Sequence, residues 1–348
     1  MRGRKIRLIE STSIGKKAEQ NDDDIYVGEN FAAVIDGVSS KSTIEADGKK
    51  IKIAEIITEA LRKIDRPTAP VYAKTLEFSE FVKYINMYIS KYCQMIQHDL
   101  NNNPLEATGV FYSKYHNQIW LVGDCRAIYD GNEITNDLKI DEVYAEIRAE
   151  IVKTLLRLGY KQEELFSSSM EKKMIVEPEL IPQYIQNESE AERIRQYIQD
   201  TMHRTLRECG FSEEDISSQS LLEKYPNPKI LQQYLKNNPN AGEYGYSVFN
   251  GISTELRNCI VKDLPSNVKR ITLSSDGVPI NILRKSKNMG QTIRGVRRLA
   301  KKDPLSINEN RGVKNAMLQS RRSSHLAFDD FSSICIEIEH EHERDEER

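Results

Sequence analysis

Residues 31–40 read FAAVIDGVSS, an apolar run that closes on Asp36 and is followed at once by Gly37. Bounded by Asn30 and Gly37, the run predicts a buried strand. The Asp-Gly pair has two readings. It is a common turn signal, because glycine adopts backbone angles that other residues avoid. It is also a rigid strand end that presents a carboxylate, with glycine letting an ion or substrate approach the backbone. The arrangement recurs along the chain. LVGDCRAIY sets Asp124 behind an apolar run, ITLSSDGV sets Asp276 before Gly277, and FDDFSSICIEI puts Asp329 and Asp330 ahead of a strand. NDDDIYV places Asp22, Asp23 and Asp24 at the start of another. Acids at the ends of strands that share a core predict convergence, and clustered carboxylates resist simultaneous ionisation unless cations lie between them. Asp oxygens without Cys or His companions suit magnesium or manganese better than zinc. Independent turn and capping acids are the alternative.

The remaining texture separates strands from helices. Strands are expected at KIRLIESTSIG (5–15) and DIYVGENFAAVID (24–36), and amphipathic helices at 50–64 and 78–97, with Ile53, Ile56, Ile57, Ala60 and Leu61 on one face of the first. TGVFYSKY and QIWLVGDCRAIYDG read as two strands of a hairpin joined at HNQ. From about 138 to 240 the chain turns to amphipathic helices, notably 141–159 and 190–210, broken by the prolines of EPELIP and YPNP. Strand texture returns at GYSVFNGIS, VKRITLSSDG and FSSICIEIE, interrupted by a basic helix at 291–302. The middle therefore reads as a helical insertion into one α+β domain spanning 1–340, with a charged tail over 341–348.

Composition excludes several classes. Fifty basic and fifty-three acidic residues leave a net charge of -3, which provides no general attraction to nucleic acid. The five cysteines have no paired spacing for zinc or redox chemistry and read as buried free thiols. No stretch is apolar for long enough to predict a membrane span or a leader, so a cytoplasmic location is expected. His98 and His116 have no evident Ser or Cys partner for a covalent triad. No Walker spacing occurs, and the charge runs RRLAKK and QSRRSSH read as solvated faces or a phosphoprotein contact.

In order along the chain stand Asn21-Asp22-Asp23, Asp36-Gly37, Gly123-Asp124-Cys125-Arg126, Ser275-Asp276-Gly277 and Asp329-Asp330. This ordered set resembles the metal-dependent serine/threonine phosphatases of type 2C, the PPM family, in particular its bacterial members. The resemblance spans about residues 6–338, although the helical middle contributes nothing to it. It implies a four-layer α-β-β-α sandwich of two antiparallel sheets flanked by helices. It further implies two Mn2+ or Mg2+ ions, with Asp36 bridging them, the Gly37 carbonyl binding one, and Asp276 and Asp329 completing the centre. Asp124 would help to hold a third, weaker ion, and Asp22 and Asp23 would orient metal-bound water. The implied activity is hydrolysis of phosphoserine and phosphothreonine in proteins by direct attack of a metal-bridging water.

Two positions depart from the family pattern. Val38-Ser39-Ser40 stands where many relatives carry His and two Gly, and Ala18 stands where relatives often carry a phosphate-binding Arg. Lys17, beside that position, is the candidate replacement, although a lysine does not reproduce bidentate arginine contacts; a solvated loop lysine is the other reading. The expected partner is a phosphoprotein substrate, without nucleic acid or membrane, and the insertion offers a surface for a further protein. Two alternatives stand beside this reading: a noncatalytic interaction module, and a phosphatase acting on a small phosphorylated molecule.

Overall fold

The computed structural model describes residues 4–14, 21–38, 41–46, 48–161, 170–217, 227–277, 280–286, 288, 290–292, 294–295, 298 and 330–340. In chain order the strands are β1 (Arg4–Ile14), β2 (Asp24–Val27), β3 (Phe31–Gly37), β4 (Thr43–Ala46), β5 (Lys49–Lys52), β6 (Ala107–Ser113), β7 (Gln118–Val122), β8 (Arg126–Tyr129), β9 (Asn132–Thr135), β10 (Ile260–Asp263), β11 (Arg270–Ser274) and β12 (Phe331–His340). The helices are α1 (Ile53–Asp65), α2 (Val71–Lys74), α3 (Phe78–Met95), α4 (Lys139–Arg157), α5 (Met170–Val176), α6 (Ile181–Tyr184), α7 (Glu188–Glu208), α8 (Glu213–Ser217), α9 (Pro228–Leu235) and α10 (Ile280–Lys285). Contacts divide the chain into two compact units. One comprises Met1–Asn136, Ser247–Arg298 and Ser323–Arg348; the other contains Asp137–Tyr246.

The first unit is α+β. One antiparallel sheet has the order β1-β12-β11-β8-β9, the second β10-β7-β6-β3-β2, and β4-β5 forms a separate hairpin. β3 explains why FAAVIDG lacks polar alternation. Successive side chains of a strand point to opposite faces, and here both faces are covered. Phe31, Ala33 and Ile35 pack with Ile53, Ile57 and Leu61 of α1 and with Phe81, Ile85 and Ile89 of α3. Ala32 and Val34 pack with Ala127, Ile271, Leu273, Ile334 and Ile336 of the facing sheet. The two sheets thus enclose one core, and the second sheet and its helices enclose another. The short α10 lies by β9, with Arg284 Nη1 2.7 Å from Glu133 Oε1.

Several local expectations need correction. Residues 24–36 form two strands, because Gly28 N donates to Phe31 O at 2.9 Å and closes a turn. The helix expected from Lys50 starts at Ile53; Lys49–Lys52 pairs with Thr43–Ala46 across a turn in which Gly48 takes a φ of +71°. QIWLVGDCRAIYDG divides at Gly123 into β7 and β8, which belong to different sheets. GYSVFNGIS is not a strand. Val248 and Phe249 are buried, yet its described pairing is limited to the isolated bridges Ala107–Phe249 and Lys236–Tyr246. Cys93, Cys125 and Cys335 are buried, whereas Cys209 and Cys259 are half-buried. The basic helix at 291–302 falls mostly outside the described residues.

In the second unit, Ile147, Ile151 and Leu155 of α4 and Ile194, Ile198, Met202 and Leu206 of α7 are buried at helical spacing. Asn187 caps α7, its side chain accepting from Glu190 N at 3.1 Å. Arg193–Glu150 at 2.8 Å and Arg204–Glu146 at 2.7 Å link α7 to α4. Exposed pairs of this kind contribute little, about 0–1 kcal/mol each, so the apolar stripes carry the packing. No described helix is long and apolar enough to cross a membrane.

Candidate functional site

The strand-end acids singled out from the sequence lie toward one end of the two sheets. In the β3-β6 pair Asp36 stands opposite Thr108 and Gly37 opposite Ala107. Even-numbered residues of both strands, such as Val34, Val110 and Tyr112, face the core between the sheets. Asp36 and Thr108 carry that face to its end. The Thr108 hydroxyl donates to Asp124 Oδ1 at 3.3 Å and lies 3.6 Å from Cys125 Sγ. Asp124 occupies the corner where the chain leaves β7 for β8. Gly123 turns that corner with a φ of +87°, and a Cβ there would stand 2.2 Å from Thr108 Cγ2. Only glycine satisfies both conditions.

The facing sheet supplies the other half. Arg126 of β8 pairs with Ser274 of β11, and its Nη1 donates to the Asp276 carbonyl at 3.0 Å. Ser275 N donates to Ser332 O and Ser332 N to Ser275 Oγ, both at 2.9 Å, which ties the end of β11 to the start of β12. Asp330, just ahead of β12 and 2% exposed, accepts Asp22 N–H on Oδ2 at 2.7 Å. Asp22 in turn lies against Gly37, where an added Cβ would stand 2.7 Å from Asp22 O. Strand pairing thus sets Asp36 beside Thr108, hydrogen bonds join Thr108 to Asp124, Arg126 to the Asp276 carbonyl and Asp330 to Asp22 N, and Asp22 lies against Gly37.

Electrostatics report the same convergence. The Cys125 thiol is pushed well above its ordinary range, first by burial, then by the charges of Asp36 and Asp124, with Asp276 adding to them and a hydrogen bond with Thr108 opposing. Three carboxylates from three segments thus act on one buried point. Asp22 and Asp23 are also buried. Asp22 Oδ1 has no hydrogen-bond partner, and Lys50 Nζ stands 3.9 Å from it. A buried, unsatisfied carboxylate oxygen, a glycine cradle and an all-oxygen donor set fit a hard divalent cation in chemistry. Among the described residues no three His, Cys, Asp or Glu side chains form a group able to hold a metal ion.

Of the residues singled out from sequence, Asp22, Asp23, Asp36, Gly37, Asp124 and Asp276 are described and belong to this end of the unit. Lys17 and Asp329 lie outside the described residues. Thr108 and Lys50 were not foreseen. Neither belongs to a motif, and their relevance depends on strand register and hairpin placement, which one sequence does not reveal. His116 is elsewhere, its Nε2 3.0 Å from Leu76 O and its ring beside Trp120. Cys125 is a buried core thiol that lies 3.6 Å from the Thr108 hydroxyl and is held protonated by burial and by the nearby carboxylates.

No protein-family model matches the sequence, and no curated protein matches it. Solved structures do resemble it. The serine/threonine phosphatase PstP/Ppp of Mycobacterium tuberculosis is 14% identical, with 97% of this chain and 100% of that one covered and a TM-score of 0.38. The catalytic domain of PstP in complex with two manganese ions is 14% identical over 96% and 99% of the two chains, with a TM-score of 0.38. Stp1 of Staphylococcus aureus, a serine/threonine phosphatase, is 14% identical over 96% of each chain, again with a TM-score of 0.38. At such identities and TM-scores the likeness assigns neither activity nor cofactor to this chain.

Proposed function

We propose that the first unit is a metal-dependent phosphatase that hydrolyses phosphoserine and phosphothreonine in proteins. The observation that carries this reading is the set of strand pairings and hydrogen bonds that brings the backbone of Asp36, Asp276 and Asp22 and the side chains of Asp124 and Asp330, from five separated segments, to one end of two facing sheets. Three of them, Asp36, Asp124 and Asp276, bear on one buried thiol, which independently scattered turn and capping acids would have no reason to do. Asp36, the Gly37 carbonyl, Asp276 and Asp329 would hold two Mn2+ or Mg2+ ions, and Asp124 a third. Bound there, the ions lower the pKa of water toward neutrality and screen the charge of a phosphoryl group. Asp22 and Asp23 orient the attacking water. Lys50, with Lys17, would supply positive charge to the phosphoryl oxygens in place of the arginine that relatives often carry at the position of Ala18. Val38 cannot donate a proton, so the leaving alkoxide takes one from solvent. Residues 137–246 form an insertion in this catalytic domain.

Turnover of an aryl phosphate with and without Mn2+ tests the reading, and a phosphopeptide panel then separates protein from small-molecule substrates. Asp36→Asn and Asp276→Asn should each lower turnover by roughly two orders of magnitude or more and weaken Mn2+ binding in calorimetry, with the melt still cooperative. Wild-type turnover in both variants at saturating Mn2+ would remove the acids from the mechanism. A noncatalytic module is favoured by the absence, among the described residues, of a preformed three-ligand group. Complete lack of turnover in the wild type, with Mn2+ bound, would select it.

A further inference from the structure

We propose that the groove between α3 and residues 250–256 docks an acidic, amphipathic segment of the phosphoprotein substrate, an inference that rests on the phosphatase reading above. The inner face of α3 is taken by the core through Phe81, Ile85 and Ile89. Its outer stripe carries Lys83, Met87 and Lys91, four residues apart and so in line on one side of the helix. Ile252 and Leu256 form the facing wall, and Val82 lies between, enclosing a cavity of ≈ 530 Å³. Met87 is 46% exposed, Ile252 58% and Leu256 37%. Three large apolar side chains displayed around one groove mark an interaction site rather than scattered surface.

The groove is built, not incidental. Asn86, buried on α3, accepts Gly251 N–H at 2.9 Å and Asn250 N–H at 3.2 Å on Oδ1 and donates from Nδ2 to Thr254 Oγ1 at 2.8 Å. Asn250 Oδ1 accepts from Ile252 N and Ser253 N, each at 2.9 Å. Gly251 takes a φ of +75°, and a Cβ there would strike Leu100 and Ile89. The wall is therefore fixed before any partner arrives, which lowers the ordering cost of binding.

Charge selects the occupant. Lys83 and Lys91 make no ion pair among the described residues, and no carboxylate lines the groove. An apolar floor between two uncompensated ammonium groups complements a chain that alternates apolar and acidic residues. The same loop continues to the acids: Phe249 and Ala107 exchange backbone hydrogen bonds at 3.0 and 2.8 Å, and Ala107 stands opposite Gly37. A substrate segment held in the groove would raise the local concentration of its phosphoryl group at the end of β3.

Fluorescence anisotropy on the full chain, without added metal, tests this. The probe is a labelled synthetic peptide of alternating Glu with Leu and Phe; one control replaces Glu by Lys, another replaces Leu and Phe by Ser. The acidic amphipathic peptide should bind, more weakly as salt rises, and the controls should not. The double variants Lys83→Glu/Lys91→Glu and Met87→Ser/Ile252→Ser should each weaken binding by about tenfold or more with unchanged melts. No binding, equal binding of all three peptides, or binding indifferent to both variants would overturn the proposal. So would sedimentation showing a dimer that Met87→Ser/Ile252→Ser dissociates, because a second copy would then cover the groove. Groove-dependent binding without turnover of any phosphopeptide supports the acidic-segment site and removes the phosphatase reading; turnover without groove-dependent binding does the reverse.

Discussion

Asp65 shows what a carboxylate looks like when protein donors satisfy it. At the end of α1 its Oδ1 accepts Asn30 N at 2.9 Å and Asn30 Nδ2 at 2.6 Å, and its Oδ2 accepts the Tyr26 hydroxyl at 3.0 Å. Gly28 leaves room for this, since a Cβ there would overlap Asp65 Oδ2. Asp22 differs: its Oδ1 is buried and has no hydrogen bond, and Lys50 Nζ stands 3.9 Å away. Leaving a buried acceptor without a hydrogen bond costs about 1–3 kcal/mol, which Lys50 at that distance offsets only in part and a cation in direct contact would remove. The Asp65 cluster also has a pH signature. Burial raises the pKa of the Tyr26 phenol, and the charge of Asp65 and the hydrogen bond to it raise it further, against a smaller opposing effect of Arg62. A raised folded-state value favours the neutral phenol in the native protein, so the stabilisation is complete below the ordinary tyrosine pKa of about 10 and is lost as pH rises beyond it toward the folded-state value. Tyr112, pushed up to about 12 by burial, acts in the same direction. Urea midpoints measured from neutral pH upward should therefore fall in wild type and in Tyr26→Phe, but less steeply in the variant. Parallel slopes would mean that Tyr26 ionises as freely in the folded protein as in the unfolded one.

At the scale of elements, the junction between β7 and β8 decides whether Asp124 reaches the other acids. Gly123 and Gly131 make a matched pair, with φ of +87° and +88°. An added Cβ at Gly131 meets nothing within 4 Å, whereas at Gly123 it would lie 2.2 Å from Thr108 Cγ2 and 2.4 Å from Thr108 Cβ. Gly131→Ala should cost about 1–2 kcal/mol from backbone conformation alone. Gly123→Ala should cost about 1–3 kcal/mol more from overpacking, because β-branched Thr108 has little χ1 freedom to move aside. Equal urea denaturation curves for the two variants would refute the close approach. The same junction shows the reach of sequence reading. β3, β12, α1 and α3 were legible because long apolar runs or 3.6-residue stripes report burial directly. The strand-end acids were legible because each sits at the edge of such a run. The division of QIWLVGDCRAIYDG between two sheets was not, since the apolar pattern continues across Gly123. Residues 245–253 misled for a related reason: Val248 and Phe249 are buried without belonging to a strand ladder. β5 and β10 are short and rich in charge, and pairing rather than burial defines them.

For the whole molecule, the excursion at 137–246 leaves and returns at one place. Asn136 Nδ2 donates to Gly123 O at 2.8 Å, and a Cβ on Gly123 would stand 3.3 Å from Ser247 O. Both ends therefore flank the corner that carries Asp124. The core between the sheets and the core under α1 and α3 draw their buried members from the first unit alone. α4 and α7 likewise pack their buried stripes within the second unit. Closing two neighbouring chain ends with a short flexible linker adds little loop entropy, since each doubling of loop length changes the cost by only about 0.6 kcal/mol. Replacing residues 137–246 by a brief Gly/Ser linker should thus leave a chain that melts cooperatively and keeps Mn2+-dependent turnover of a small aryl phosphate, because the proposed ligands all lie outside the excised stretch. Action on a phosphoprotein should fall if the insertion provides recognition surface, so the ratio of the two activities measures its contribution. An excised chain that fails to fold would show that the second unit completes the core of the first, and would overturn its description as an insertion. A folded chain with Mn2+ bound but no aryl phosphate turnover would instead place a needed catalytic group within 137–246.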